Sequence, residues 1–103
     1  MPDVAELVEQ GEALVRERKF RKAISCFRRA ADLAPEDPSL HNSIGMAEMA
    51  RRNPARALRA YQRACELAPD IARYYVRRGD ALQRLERYAQ AVEAYGRALE
   101  LEP

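Results

Sequence analysis

The chain has 103 residues, the size of a single domain, and 48% of them are hydrophobic and 33% charged. This balance is typical of a folded protein and excludes a disordered tail. The short apolar runs exclude a transmembrane helix, and the net charge of +2 argues against a dedicated nucleic-acid binder. The N-terminus, MPDVAELVEQ, lacks the apolar stretch of a secretory signal, so we expect a cytoplasmic protein.

The first predicted helix begins after Asp3, which precedes Glu6 by three residues, the spacing of a capping box. A break near residues 18–19 separates it from a second helix over about residues 20–33, which ends before Pro35. Apolar and small residues recur at helical steps along both. They are Leu7, Gly11 and Leu14 in the first helix, and Ala23, Ile24, Phe27, Ala30 and Ala31 in the second.

Two further helix pairs follow the same plan. The dipeptides Asp37–Pro38 and Asn53–Pro54 each place an N-cap residue before a proline at the first helical position. In the third pair we expect Asp70 to cap the first helix and Arg87 to mark the start of the second. No segment alternates between apolar and polar residues, so the sequence predicts no strands.

Six sets of residues recur with a spacing of 34, which indicates stacked copies of one unit. Glycine within a helix costs about 1 kcal/mol relative to alanine, so the repeated glycine must be compensated by close packing against the second helix. Short connections make each helix pair antiparallel. The sets are Gly11, Gly45 and Gly79; Ala23, Ala57 and Ala91; Phe27, Tyr61 and Tyr95; Ala30, Ala64 and Ala98; Leu33, Leu67 and Leu101; and Pro35, Pro69 and Pro103.

This pattern of Gly-x₂-Leu, Ala-x₃-Phe/Tyr-x₂-Ala and Pro resembles the tetratricopeptide repeat. The resemblance covers the whole chain as one domain, 1–103, with repeats at about 4–37, 38–71 and 72–103. It implies an all-α fold, an α-solenoid of three antiparallel helix-turn-helix repeats with six helices in a right-handed superhelix. The middle repeat departs from the pattern at His41, at Glu48, which stands where Leu14 and Leu82 are found, and at Pro54.

The resemblance also implies a concave groove, lined by the first helix of each repeat, that binds a peptide or a helix of a partner protein. Two interpretations of its methionines stay open, a soft apolar floor or simple gap filling. Its arginines are either a carboxylate-binding cluster or a solvated face. The expected groove residues are Val8, Glu12, Val15, Arg16, Asn42, Met46, Met49, Ala50, Arg73, Val76, Arg77, Asp80, Gln83 and Arg84.

One subtype of this family holds a partner's terminal carboxylate in a clamp of Lys, Asn and Arg. Arg73 and Arg77 occupy its two basic positions in the third repeat. Val8 and Glu12, however, stand where the first repeat should supply Lys and Asn, and Ser43 replaces the Asn of the second. We therefore do not expect this clamp.

The two ends of the array differ in polarity. The outer stripe of the first helix, which begins at Glu6, is polar, as a terminal capping repeat requires, so we expect the array to begin here. At the other end no helix covers the last repeat, so either the chain is a fragment of a longer protein or another copy covers this face. Exposed apolar patches of this kind mark interfaces. We expect end-to-end or swapped self-association through Val92, Tyr95 and Leu99.

Catalysis is not expected, because the residues for it are missing. His41 is the only histidine, the glycines are isolated, and no base accompanies Cys26 or Cys65. Two cysteines are too few for a disulfide scaffold or a zinc site, so we expect buried free thiols in a reducing compartment and no cofactor or metal.

Arginine supplies sixteen of the eighteen basic residues. The skew reflects either genome composition or selection for guanidinium groups that bind carboxylates or phosphates. The pairs Arg28–Arg29, Arg51–Arg52 and Arg77–Arg78 raise a nucleic-acid-binding alternative, although no aromatic residues flank them. The favoured function is a protein-interaction scaffold; the alternatives are a self-assembly module of a larger protein and, less favoured, a nucleic-acid-binding helical repeat.

Overall fold

A computed structural model describes all residues, 1–103, and contains six α-helices and no strand. Each helix packs on the one before it, so the three pairs stack into an elongated molecule of 43 × 25 × 19 Å. The expected all-α solenoid is confirmed. The helices are α1 (Val4–Arg16), α2 (Phe20–Leu33), α3 (Pro38–Ala50), α4 (Pro54–Leu67), α5 (Ala72–Arg84) and α6 (Tyr88–Leu101).

Three of the expected N-caps are confirmed. The Asp3 carboxylate accepts a hydrogen bond from the Glu6 backbone N–H at 2.9 Å, and the Asp37 carboxylate accepts one from Ser39 at 2.9 Å. The Asn53 side chain accepts one from the Arg56 backbone N–H at 3.3 Å. Each satisfies a backbone donor that the first helical turn leaves unpaired.

The cap expected at Asp70 is wrong. Helix α5 begins at Ala72, and its N-cap residue is Ile71, whose side chain accepts no hydrogen bond. The 34-residue period agrees with the observed start of α5, because Ile71 and not Asp70 is the equivalent of the N-cap residue Asp37. Arg87 does stand at the N-cap of α6, as expected, but without a side-chain hydrogen bond.

A left-handed residue closes the first helix of every pair. Arg18, Arg52 and Glu86 have φ near 62°, 63° and 61°, and the next residue donates its N–H to a carbonyl five positions back, as Asn53 does to Glu48 at 2.9 Å. This is the Schellman arrangement, which usually carries glycine because other residues pay roughly 1–2 kcal/mol in this conformation. The turn therefore forms without its usual sequence signal.

The core runs along the solenoid between the helices. Ala23, Ala57 and Ala91 are almost fully buried at the centre of each pair, beside Phe27 and Tyr61. Cys65 is buried and free, as expected, whereas Cys26 is also free but only half-buried, which corrects the expectation for it. Burial raises the pKa of the Cys65 thiol. No helix is both long and apolar enough to cross a membrane.

Candidate functional site

The expected groove residues of the second repeat lie on α3 and differ in accessibility. Met46 is 45% exposed, and its Sδ lies 3.6 Å from the Asn42 side-chain nitrogen, which donates to it. Met49 instead packs against the buried cluster that contains Leu58 and Tyr61. Met46 is therefore accessible as part of an apolar floor for a ligand, whereas Met49 mainly fills space in the core.

The first repeat contributes less apolar surface than expected. Val8 packs against the cluster around Leu7 and Leu40, and Val15 packs against the cluster around Ile24. Glu12 and Arg16 on the same helix are exposed. The accessible surface that these residues of α1 give to the expected groove is accordingly polar.

The third repeat presents the most accessible cations. Arg73, Arg84 and the neighbouring Gln83 are exposed, Arg77 is half-buried, and Val76 is 40% exposed. The Arg73 guanidinium lies 5.1 Å from the centre of the Tyr74 ring, a cation–π contact. Arg84 stands in the last turn of α5, where a cation also interacts favourably with the helix dipole.

A depression of about 550 Å³ unites two sets of residues that the sequence placed in separate sites. It brings groove residues of α5 together with residues of α6 that were expected to mediate self-association. Guanidinium groups and apolar side chains therefore share one open surface at this end of the molecule. The residues that line it are Ala72, Arg73, Val76, Arg77, Tyr95, Ala98, Leu99 and Glu102.

Asp80 is not a free acid of the groove, because Tyr95 engages it. The Tyr95 hydroxyl lies 2.6 Å from Asp80 Oδ1, to which it donates, and 3.1 Å from Gln83 Oε1. Burial, and then the hydrogen bond to Asp80, raises the pKa of Tyr95 to about 12. This pair holds α5 and α6 together and leaves the arginines as the groups that can meet a ligand.

The outer face of α6 is an uncovered stacking surface. Val92 is 70% exposed, although its equivalents Ile24 and Leu58 are only 6% and 5% exposed beneath the following helix pair. Leu99 is 64% exposed, whereas its equivalent Cys65 is 3% exposed. The face matches the buried interfaces between repeats in residue type but has no helix upon it.

Sequence reasoning missed a cleft between α2 and α4 that is rich in arginine. Glu48 lies fully buried at its base, with Oε1 3.0 Å from an Arg51 guanidinium nitrogen and Oε2 3.8 Å from one of Arg28. The signal was present, since Glu48 replaces the leucine of the other repeats, but the convergence of α2 and α4 on it is visible only in the fold. No group of three or more His, Cys, Asp or Glu side chains is placed to hold a metal ion.

Solved structures share this fold over nearly the whole chain. The first TPR of Spaghetti (RPAP3), bound to the HSP90 peptide SRMEEVD, has a TM-score of 0.92 and 30% identity, and covers 98% of this chain and 80% of that chain. The Sgt2 TPR domain from Aspergillus fumigatus has a TM-score of 0.91 and 25% identity, with 99% and 68% covered. MamA, at 22% identity and a TM-score of 0.93 over 97% of this chain and 58% of that one, shares the fold alone.

Family models match the sequence over all three repeats. Two tetratricopeptide repeat models match residues 8–72 and 72–103. No match was found among the curated proteins. Because the family match extends over more than half of the sequence and agrees with the six-helix fold, the chain belongs to the tetratricopeptide repeat family.

Proposed function

We propose that this protein is an interaction scaffold that binds an acidic peptide of a partner protein in its groove, and that it is not an enzyme. The observation that carries the proposal is the depression at α5 and α6, where Arg73 and Arg77 flank the exposed side chains of Val76 and Leu99. The 30% identical TPR of Spaghetti, with its bound SRMEEVD peptide, supports a peptide as the ligand.

The chemistry of the depression favours carboxylates beside an apolar side chain. Arginine presents a planar fork of donors that can bind a carboxylate at both oxygens. Val76 and Leu99 supply apolar area on which an aliphatic peptide side chain gains about 25 cal/mol per Å² removed from water. Val8 and Glu12 on α1 cannot complete a clamp for a terminal carboxylate, so we propose recognition of acidic side chains within the peptide.

Fluorescence anisotropy with labelled SRMEEVD, as the free acid and as the C-terminal amide, tests this proposal. We expect both forms to bind within about twofold of each other and Arg77→Glu to weaken both about tenfold, the effect of about 1.4 kcal/mol. The control Arg97→Glu makes the same charge change on the far side of α6, at a side chain that is 46% exposed. Methyl NMR of Val76 should report the bound peptide.

The double variant Val8→Lys/Glu12→Asn makes the specificity test sharper. It should tighten binding of the free acid but not of the amide. The introduced lysine and asparagine side chains would supply hydrogen-bond donors to the terminal carboxylate, which the wild-type groove does not offer on α1. Equal loss of binding in Arg77→Glu and Arg97→Glu, or an unchanged Val76 methyl signal, would contradict binding in the groove.

Self-association through the face of Val92, Tyr95 and Leu99 is a second candidate function. It is favoured by the exposure of Val92 and Leu99 at positions whose equivalents are buried in both preceding repeats. A second copy that presents the same face, related by a two-fold axis, would cover these side chains, so this function is an alternative to peptide binding at Tyr95 and Leu99. We also propose a cytoplasmic location, which the two free cysteines support because thiols persist in a reducing compartment.

Sedimentation equilibrium of the wild type, Val92→Glu and Leu33→Glu tests this second function. Leu33 is a suitable control because it is also a large apolar side chain, 59% exposed, and lies on α2. We expect a dimer that Val92→Glu converts to a monomer and that Leu33→Glu leaves intact. A wild-type chain that stays monomeric at high concentration would argue against self-association.

A further inference from the structure

A second accessible cleft lies between α2 and α4, with α3 as its floor. It consists of two adjoining cavities of about 590 and 670 Å³ that share Arg28, Asp32 and Arg56. His41, Ile44 and Glu48 form the floor, and by the 3.6-residue helical turn they project from the side of α3 opposite to Met46. The cleft is therefore separate from the groove.

Positive charge dominates this cleft. Seven arginines line it against two carboxylates, those of Asp32 and Glu48, which leaves an excess of five positive charges. All of these arginines except Arg51 are exposed, so a ligand can reach them. The arginines are Arg21, Arg28, Arg29, Arg51, Arg56, Arg59 and Arg63.

The carboxylate of Glu48 already has cationic neighbours within the protein. Its Oε1 accepts a hydrogen bond from Arg51 at 3.0 Å, which holds that guanidinium at the base of the cleft, and its Oε2 lies 3.8 Å from a guanidinium nitrogen of Arg28. Arg21, Arg29, Arg56 and Arg59 make no ion pair, and Arg63 pairs only with the exposed Glu66. The free guanidiniums are the groups that a negatively charged ligand would meet.

The equivalent cleft between α4 and α6 shows that the fold does not require this charge. There Gln62 stands in place of Arg28, Gln90 in place of Arg56, and Glu93 in place of Arg59. Its three arginines face one glutamate, an excess of only two positive charges. The α4–α6 cleft, of about 380 Å³, thus carries a smaller excess of positive charge than the α2–α4 cleft.

We propose that the α2–α4 cleft is a second binding surface, independent of the groove, for an acidic segment of a partner protein. Carboxylates suit the guanidinium forks, and Ala31, Ile44 and Ala60 give the cleft an apolar strip that a peptide side chain can contact. A nucleic acid fits less well, because no Tyr, Phe or Trp lines the cleft for base stacking.

NMR can locate the ligand, because His41 is the only histidine and lines this cleft, while Val76 lines the groove depression. The probe is an amidated oligoglutamate peptide interspersed with leucine, with an oligothymidylate strand as the competing class of ligand. We expect the peptide to shift the His41 imidazole signals in the wild type and in Arg77→Glu alike. The result for Arg77→Glu separates this proposal from the groove.

Arg63 and Arg97 provide a matched pair of variants. They are equivalent positions of successive repeats, each 3.1 Å from a glutamate three residues later, and their side chains are 47% and 46% exposed. Arg63→Glu should weaken binding of the peptide about tenfold, whereas Arg97→Glu should change it less than about twofold. Equal losses in the two variants, no shift of His41, or tighter cleft binding by the oligothymidylate than by the peptide would overturn the proposal.

Discussion

The ring of Tyr61 occupies the space that a side chain at position 45 would fill. A Cβ atom built on Gly45 would lie 2.6 Å from Tyr61 Cδ1, closer than carbon atoms approach. Phe27 stands against Gly11 and Tyr95 against Gly79 in the same way. The repeated glycine is therefore required for the aromatic ring of α2, α4 or α6 to fit against the first helix of each pair.

Substitution Gly45→Ala should accordingly destabilise the protein by about 1–3 kcal/mol, because the ring of Tyr61 must move in a packed core. Gly96→Ala is the control, since nothing lies within 4 Å of a Cβ at that helical position. Gly96→Ala should stabilise the protein by about 0.5–1 kcal/mol through helix propensity. Urea unfolding measures both changes, and equal effects of the two substitutions would contradict the packing argument.

The caps of the first helices should differ in their contributions to stability. Asp37 accepts hydrogen bonds from both the backbone N–H and the hydroxyl of Ser39, at 2.9 and 2.6 Å. Asp37→Ala should lower the free energy of unfolding by about 0.5–2 kcal/mol. Asp70→Ala should change it by less than about 0.5 kcal/mol, because Asp70 is exposed and does not cap α5. A comparable loss of unfolding free energy for Asp70→Ala in thermal unfolding would show that Asp70 does cap α5.

Replacement of the buried Glu48 by leucine should leave the free energy of unfolding unchanged or raise it by about 1–4 kcal/mol. Its partners Arg28 and Arg51 are 58% and 22% exposed, so both can return to water when the carboxylate is removed. The equivalent Leu82 is buried at 3% exposure, which shows that leucine fits this position.

Glu66→Leu is the matched control for Glu48→Leu, because Glu66 forms an exposed ion pair with Arg63 at 3.1 Å. Such pairs contribute about 0.3–0.5 kcal/mol, so little change is expected in chemical denaturation. A loss of more than about 1 kcal/mol in Glu48→Leu would show that the buried carboxylate is needed for the fold.

Stability should fall in strong base because the pKa values of Tyr61 and Tyr95 are both raised in the folded chain. Burial raises the pKa of Tyr61 from 10.0 to about 12, since the charged phenolate is poorly solvated there. Between pH 10 and 12 the unfolded chain releases this proton while the folded chain retains it, so the free energy of unfolding decreases as pH rises.

Tyr61→Phe should make this decrease smaller, and the equivalent Phe27 shows that the ring alone fits such a site. Tyr88→Phe, at a tyrosine that is 59% exposed, is the control. Denaturation curves at several pH values check the result. The same slope in the wild type and Tyr61→Phe would mean that other groups cause the loss.

Local sequence patterns predicted the structure correctly where interactions between residues close in the chain determine it. Proline after Asp37 and Asn53 fixed two helix starts, and the 34-residue period predicted six helices. Asp70 was misplaced by one residue because an aspartate near a helix start suggested a cap even though the period pointed to Ile71. The left-handed turns at Arg18 and Arg52 had no signal, since neither residue is the glycine that this conformation favours.

The candidate sites depended on tertiary structure to a much greater extent. The sequence identified Arg73, Arg77 and Leu99 but assigned them to separate surfaces, and only the packing of α5 on α6 joins them in one depression. The arginines around Glu48 come from α2 and α4, which no local pattern relates. The sequence by itself determined the repeat, the helices and their small-residue contacts, because these follow from helical periodicity and side-chain size. The tertiary structure decided which charges meet, because residues distant in the chain become neighbours only when the repeats stack.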